Sequence, residues 1–163
     1  MFYQFLKFLH IIALLGFMMA HGASASVAFA LVKERSPERV RALLGLSAGS
    51  YGLMYISLIL LLITGIIDGI IGKWFGKGWI WVSLVLLILV TLAMAAMGSR
   101  IYNLARKAAG LPYVDGGKHF PAEEPASSEV IDSILSKGKP IPLLSIGFGG
   151  IIIITWLMIY KPF

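Results

Sequence analysis

The sequence contains no cysteine, and that absence removes two kinds of chemistry at once. Neither a thiol–disulfide exchanger nor a thiolate metal centre can be built from it. Charge is scarce too: 13% of the 163 residues are Asp, Glu, Lys or Arg, about half of the ~25% usual in soluble domains. No Asp or Glu lies in the middle of an apolar segment, which argues against a proton-coupled exporter built on an intramembrane carboxylate. No glycine-rich phosphate loop leads into a basic residue in the required pattern. Histidine is limited to His10, His21 and His119. A four-helix cytochrome that ligates two haems through histidine pairs needs four.

What the chain does have is apolar residues in blocks. Phe8 to Val32, Leu46 to Ile67, Trp79 to Ser99 and Ile141 to Tyr160 contain no Asp, Glu, Lys or Arg. Each block reaches the ~20 residues needed to cross a bilayer core of ~30 Å. The expectation is an all-α, polytopic membrane protein: one four-transmembrane-helix bundle over 1–163, with spans at about 4–32, 47–72, 78–102 and 141–160. The first block carries Lys7 and a small-residue stretch, Ala23-Ser24-Ala25, as a signal peptide does. Its apolar stretch outruns the ~7–15 residues of such a peptide and resumes at Val27 to Val32, so a retained span is expected.

Lysine and arginine set the expected orientation. The connections 33–46 and 103–140, with the adjoining Arg100, hold ten of the fourteen basic residues; Lys7, Lys73, Lys77 and Lys161 lie elsewhere. By the positive-inside rule both connections are cytoplasmic loops of a bacterial inner membrane protein, and both termini are extracytoplasmic. The net charge of +6 is thus a topology signal and does not call for nucleic acid. Short interfacial helices are expected in both connections. "SPERVRALLGL" has Ser36 at the N-cap and Pro37 at the first helical position, and "SSEVIDSILSKG" reads as an amphipathic helix ending at Gly138. Between them "YVDGGKHFPAEEPA", which holds His119, reads as turns.

Small residues mark where helices should meet. Gly16, Ala20, Ser24 and Ala28 recur every four positions, and Gly65 and Gly69 repeat that spacing in the second span. The lipid bilayer is the expected partner, with a homodimer or a larger membrane complex left open. Tyr3, Trp74, Trp79, Trp81, Trp156 and Tyr160 should gather at the outer interface.

The two intramembrane histidines are the candidate cofactor-binding residues. Eleven steps of ~100° bring His21 to within ~20° of His10, about 16 Å further along the helix, so both should share one face at two depths. That separation prevents them from holding one metal ion or one haem iron together. At the outer depth Lys7, His10, Asp68 and Ser83 form an expected polar cluster, with Asp68 or Ser83 as the hydrogen-bond partner of His10. At the inner depth His21 should donate across the small-residue seam, among Met18, Tyr51, Met54, Tyr55, Met94 and Met97. Haem b or copper stays open as a cofactor, and none is required by these residues.

"LKFLHIIALLGF", "GWIWVSLVLLILVTL" and "KERSPERVRALLGL" together resemble the CopD-like superfamily of small bacterial integral membrane proteins, above all its four-span family of predicted integral membrane proteins. More distantly the chain is similar to the haem-associated membrane protoporphyrinogen oxidases, which open with a comparable Leu-Lys-x-Leu-His pattern. That resemblance aligns His10 with a proposed haem ligand and sets Ser83 near their third-span lysine, which serine cannot replace. Three readings follow. One is a non-catalytic structural or accessory membrane protein. Another is a haem- or copper-binding redox or transport component using His10 and His21. The third is a porphyrin-oxidising enzyme. The orientation is open to direct measurement: a Gly116→Cys variant should resist an impermeant thiol reagent in intact cells, and a Gly76→Cys variant should label. The reverse pattern would invert the topology.

Overall fold

A computed structural model describes residues 1–163 as an all-α protein with one small hairpin. Four helices are long and apolar enough to cross a membrane: α1 (Phe2–Lys33), α2 (Pro37–Ile71), α3 (Gly78–Ala108) and α5 (Pro140–Tyr160). Between α3 and α5 lie β1 (Tyr113–Asp115), β2 (Lys118–Phe120) and the short helix α4 (Ser128–Leu135). The protein is a multi-pass membrane bundle.

Only three residues separate α1 from α2, so the first connection is shorter than the expected 33–46. Pro37 starts α2 at its first position, and nothing after it breaks the backbone ladder. The expected interfacial helix therefore continues without a break into the second span. Ser36 occupies the N-cap position, but its side chain makes no capping bond. The Glu34 carboxylate instead braces the three-residue link, accepting from the amides of Arg35 at 2.9 Å and Ser36 at 3.0 Å. The third span also outruns its expected end at 102, reaching Ala108 before Gly110 adopts a left-handed φ of 71°. At the other end of α2 the chain reverses through Gly72, where a Cβ would lie 2.5 Å from the Trp74 indole.

The helices pair unevenly. α1 packs along the length of α2 and α3 packs on α5, whereas α1 meets α5, and α2 meets α3, over short crossings. Gly16 brings α1 onto α2: a Cβ there would stand 2.7 Å from the Ser57 hydroxyl. Ala20 and Ala28 are buried, and the Ser24 and Ser47 hydroxyls hydrogen-bond across the seam at 3.1 Å. α3 and α5 meet at Gly150, where a Cβ would collide with Val90. Gly69 departs from the expected helix–helix role, because its surface meets the Phe75 ring of the turn that follows α2.

Each end of the bundle has its own closure. At the end carrying both termini, Tyr3, Trp74 and Trp79 form a run of edge and tilted ring contacts. The Lys161 ammonium lies 3.9 Å from the Trp74 ring centre, and the Trp79 amide donates to the Phe163 carbonyl at 3.3 Å. At the opposite end Ile131 and Leu135 of α4 are buried with Val27 and Leu31 of α1, Val40 and Leu44 of α2, and Ala105 and Ala108 of α3. This is a water-side hydrophobic core, and it turns the long connection into a cap. Arg41 donates to the Ala109 carbonyl at the end of α3 at 2.8 Å, and Arg106 donates to the Leu44 carbonyl of α2 at 3.1 Å, so the two bases tie α2 to α3 across the cap.

The stretch expected to be turns is instead an antiparallel hairpin that pairs Tyr113 with Phe120, Val114 with His119 and Asp115 with Lys118. Gly116 and Gly117 form its loop, both at positive φ, the residue pattern of a two-residue hairpin turn. His119 is exposed on it. Glu123 braces the hairpin. It accepts a short hydrogen bond from the Tyr113 hydroxyl and lies 3.5 Å from the Lys107 ammonium. The phenol bond first, and the lysine charge second, hold the Glu123 carboxyl below its usual range. The brace is therefore complete at neutral pH and is lost as pH falls below ~4.3 through the depressed folded-state value. Amide protection over Tyr113–Phe120 should drop in that acid window, and a Glu123→Gln variant should show the weaker protection at every pH. Equal profiles for the two proteins would rule out the brace.

Candidate functional site

In water the interior of a helix pair is oil; here the buried positions of α2 within its membrane span are small or polar. On α2 they are Ser57, Thr64, Asp68 and Gly69, while Ile59, Ile63 and Ile66 point outward. Apolar burial gives helices little reason to associate in lipid, so packing of small residues and interhelical hydrogen bonds take over. The polar groups of the outer half form the candidate site.

His10 of α1 is its centre. Its Nδ1 stands 2.8 Å from the Thr64 hydroxyl of α2. That hydroxyl has one proton, which it donates to the Leu60 carbonyl 2.6 Å away. With that proton on Leu60 the Thr64 oxygen accepts, and the matching His10 tautomer carries its proton on Nδ1 and, when neutral, a lone pair on Nε2. Gly65 makes room for the ring: a Cβ there would lie 3.1 Å from His10 Cε1. Sequence reasoning named Asp68 or Ser83 as the partner and missed Thr64. The signal was present, because Thr64 sits one turn before Asp68 and beside Gly65, on the face the glycine stripe marks.

The expected cluster of Lys7, His10, Asp68 and Ser83 does not form a bonded network. Ser83 is buried, but its hydroxyl donates back to the Trp79 carbonyl of its own helix at 2.8 Å. Lys7 folds over the Tyr3 ring, 4.4 Å from its centre. Asp68 is 3% exposed, and its Oδ1 has no hydrogen-bond partner. The charged or titratable groups around it are His10, Lys7 and Lys161, none within ion-pair distance. Short side chains explain this outcome: serine is satisfied by the carbonyl one turn back, whereas lysine reaches the aromatic end.

His21 faces another neighbour. Its ring packs between Phe17 of its own helix and Phe148 of α5, with centroids 6.0 Å and 5.0 Å away. Gly147 admits it, since a Cβ at that position would strike Nε2. Nε2 is buried without a partner, so the ring fills space against α5 and does not donate across the α1–α2 seam. The two histidines fall near one helical face by sequence, yet α1 runs between α2 and α5. Its neighbour changes along its length.

A metal or haem would find few donors here. No three His, Cys, Asp or Glu side chains converge, and Met19 turns outward with 70% exposure. A copper centre therefore lacks its ligand set, while haem would find one axial nitrogen, His10 Nε2. Comparisons with protein-family models, curated proteins and solved structures find no match to this chain.

The His10–Thr64 bond gives a direct test. Thr64→Val keeps the shape and removes the acceptor, so it should lower stability in detergent by about 1–3 kcal/mol, whereas Thr64→Ser should stay close to the parent protein. A loss in Thr64→Ser with none in Thr64→Val would assign the effect to methyl packing.

Proposed function

We propose that this chain is a non-catalytic, four-span bacterial inner-membrane protein of the CopD-like type, with a structural or accessory role and with both termini outside the cytoplasm. The observation that carries this reading is the use made of the intramembrane polar groups. His10 fastens α1 to α2 through Thr64, the Ser24 and Ser47 hydroxyls fasten the same pair, and His21 wedges against Gly147 of α5. Each of these groups holds helices together. The orientation is supported by the basic residues gathered at the cap end, where Arg35, Arg41, Arg106 and Lys107 bind carbonyls and acids of the folded connections. α3 leaves a broad apolar face, including Val85, Leu89 and Leu92, to lipid or to a second membrane protein.

A second reading, haem b held at His10, is favoured by one feature. The proton on Nδ1 is committed to Thr64, which orients the ring and leaves Nε2 as the ligand atom, as partners of metal-bound histidines do. Bound haem would supply redox chemistry; the residues here would only orient the axial nitrogen. Colour separates the two readings. On the favoured one, protein purified from cells supplied with haem precursor is colourless, and His10→Ala lowers the melting temperature with no spectral change. A stoichiometric Soret band lost in His10→Ala would replace it with the haem reading.

A further inference from the structure

At the cap end, a cavity of about 250 Å³ opens between α3 and the start of α5. Its walls are Met97, Ile101 and Tyr102 of α3, Lys137 and Lys139 of the chain entering α5, and Leu143 in the first turn of α5. Three observations give it a chemistry. The Tyr102 hydroxyl is buried and has no hydrogen-bond partner, although a buried phenol is costly to leave unpaired. Lys137 and Lys139 both line the cavity, and neither belongs to any ion pair, whereas Arg35, Arg39 and Lys107 of the same end each have an acidic partner. The remaining walls are apolar, and Met97 lies one helical turn deeper along α3 than Ile101.

Two unpaired cations and a buried, unused hydroxyl on residues that line an otherwise apolar slot match the chemistry of a phospholipid entering from the side of the bundle. We propose that this cavity binds the phosphate of an anionic phospholipid in the leaflet that meets the cap end. Lys137 and Lys139 neutralise the headgroup, the Tyr102 hydroxyl donates to a phosphate oxygen, and Met97, Ile101 and Leu143 receive the first carbons of an acyl chain. A free phosphate ion would use the same donors but gain nothing from the apolar wall. The site rests on the membrane-spanning reading alone; it depends on neither the accessory role nor the direction in which the chain faces.

Native mass spectrometry of the detergent-solubilised full chain, titrated with phosphatidylglycerol or phosphatidylcholine, tests it. Phosphatidylglycerol should be retained and should raise the melting temperature, and phosphatidylcholine should do neither. Lys137→Ala with Lys139→Ala should weaken retention by roughly ten- to thirtyfold, the effect of two lysines at an anionic surface. Tyr102→Phe, which keeps the ring, should weaken it by a few-fold, and Lys118→Ala on the distant hairpin should leave it unchanged. Equal retention of both lipids, or an equal loss in Lys118→Ala, would overturn the proposal. Displacement of the lipid by millimolar inorganic phosphate would overturn the lipid assignment in favour of a soluble anion. Fractionation of the unaltered protein into membranes is scored separately, so a chain that never entered the bilayer is told apart from one that lacks the site.

Discussion

Everything in this bundle depends on how closely α1 approaches α2. Water cannot drive two apolar helices together inside lipid, so the pair relies on short-range packing and on hydrogen bonds that bridge it. Gly16 lets the backbone come down onto Ser57, and Gly65 lets the His10 ring come down onto α2, where Thr64 receives its proton. The two devices need each other. A bulkier residue at 65 would lift the imidazole away from Thr64, and without the hydrogen bond the glycines would be gaps. Further along, the Ser24–Ser47 pair and buried Ala20 and Ala28 continue the seam to the cap.

The cap obeys the opposite physics. There Leu31, Val40, Leu44, Ile131 and Leu135 bury oil away from water, as in any soluble domain. The arginines at this end bind backbone carbonyls of the cap, Arg41 that of Ala109 and Arg106 those of Leu44 and Pro112. One chain thus contains two interiors, a polar and small-residue one along the α1–α2 seam and an apolar one at the cap. The boundary falls near Val27, where α1 changes from the first kind to the second.

Helix number, helix type and the small-residue stripe were legible because they are written as blocks and periods. Length and the absence of charge identify a span without knowledge of its neighbours. The partners of individual side chains were not legible, because a crossing angle decides them. His10 and His21 fall close to one helical face, yet one meets Thr64 and the other Gly147. Ser83 was read as a partner for His10, but a serine can satisfy itself from the preceding turn, and sequence does not say which choice it makes. The hairpin was hidden for another reason. Its strands are three residues each, too short for an alternating pattern, and only Gly116-Gly117 with the flanking Tyr113 and Phe120 pointed to it.

The uneven pairing of the helices gives the chain an order of assembly. α1 and α2, joined by three residues and fastened along their length, can close on each other as soon as both have left the ribosome. α3 has no such companion: its mate α5 begins 31 residues after it ends, beyond the hairpin and α4. During that interval α3 rests against lipid with the Ser83 and Thr91 hydroxyls satisfied within their own helix, and only the Tyr102 hydroxyl, near the cap end, without a partner. A helix that must wait alone in a membrane is best left with its hydroxyls already satisfied, and over most of its length α3 is built that way.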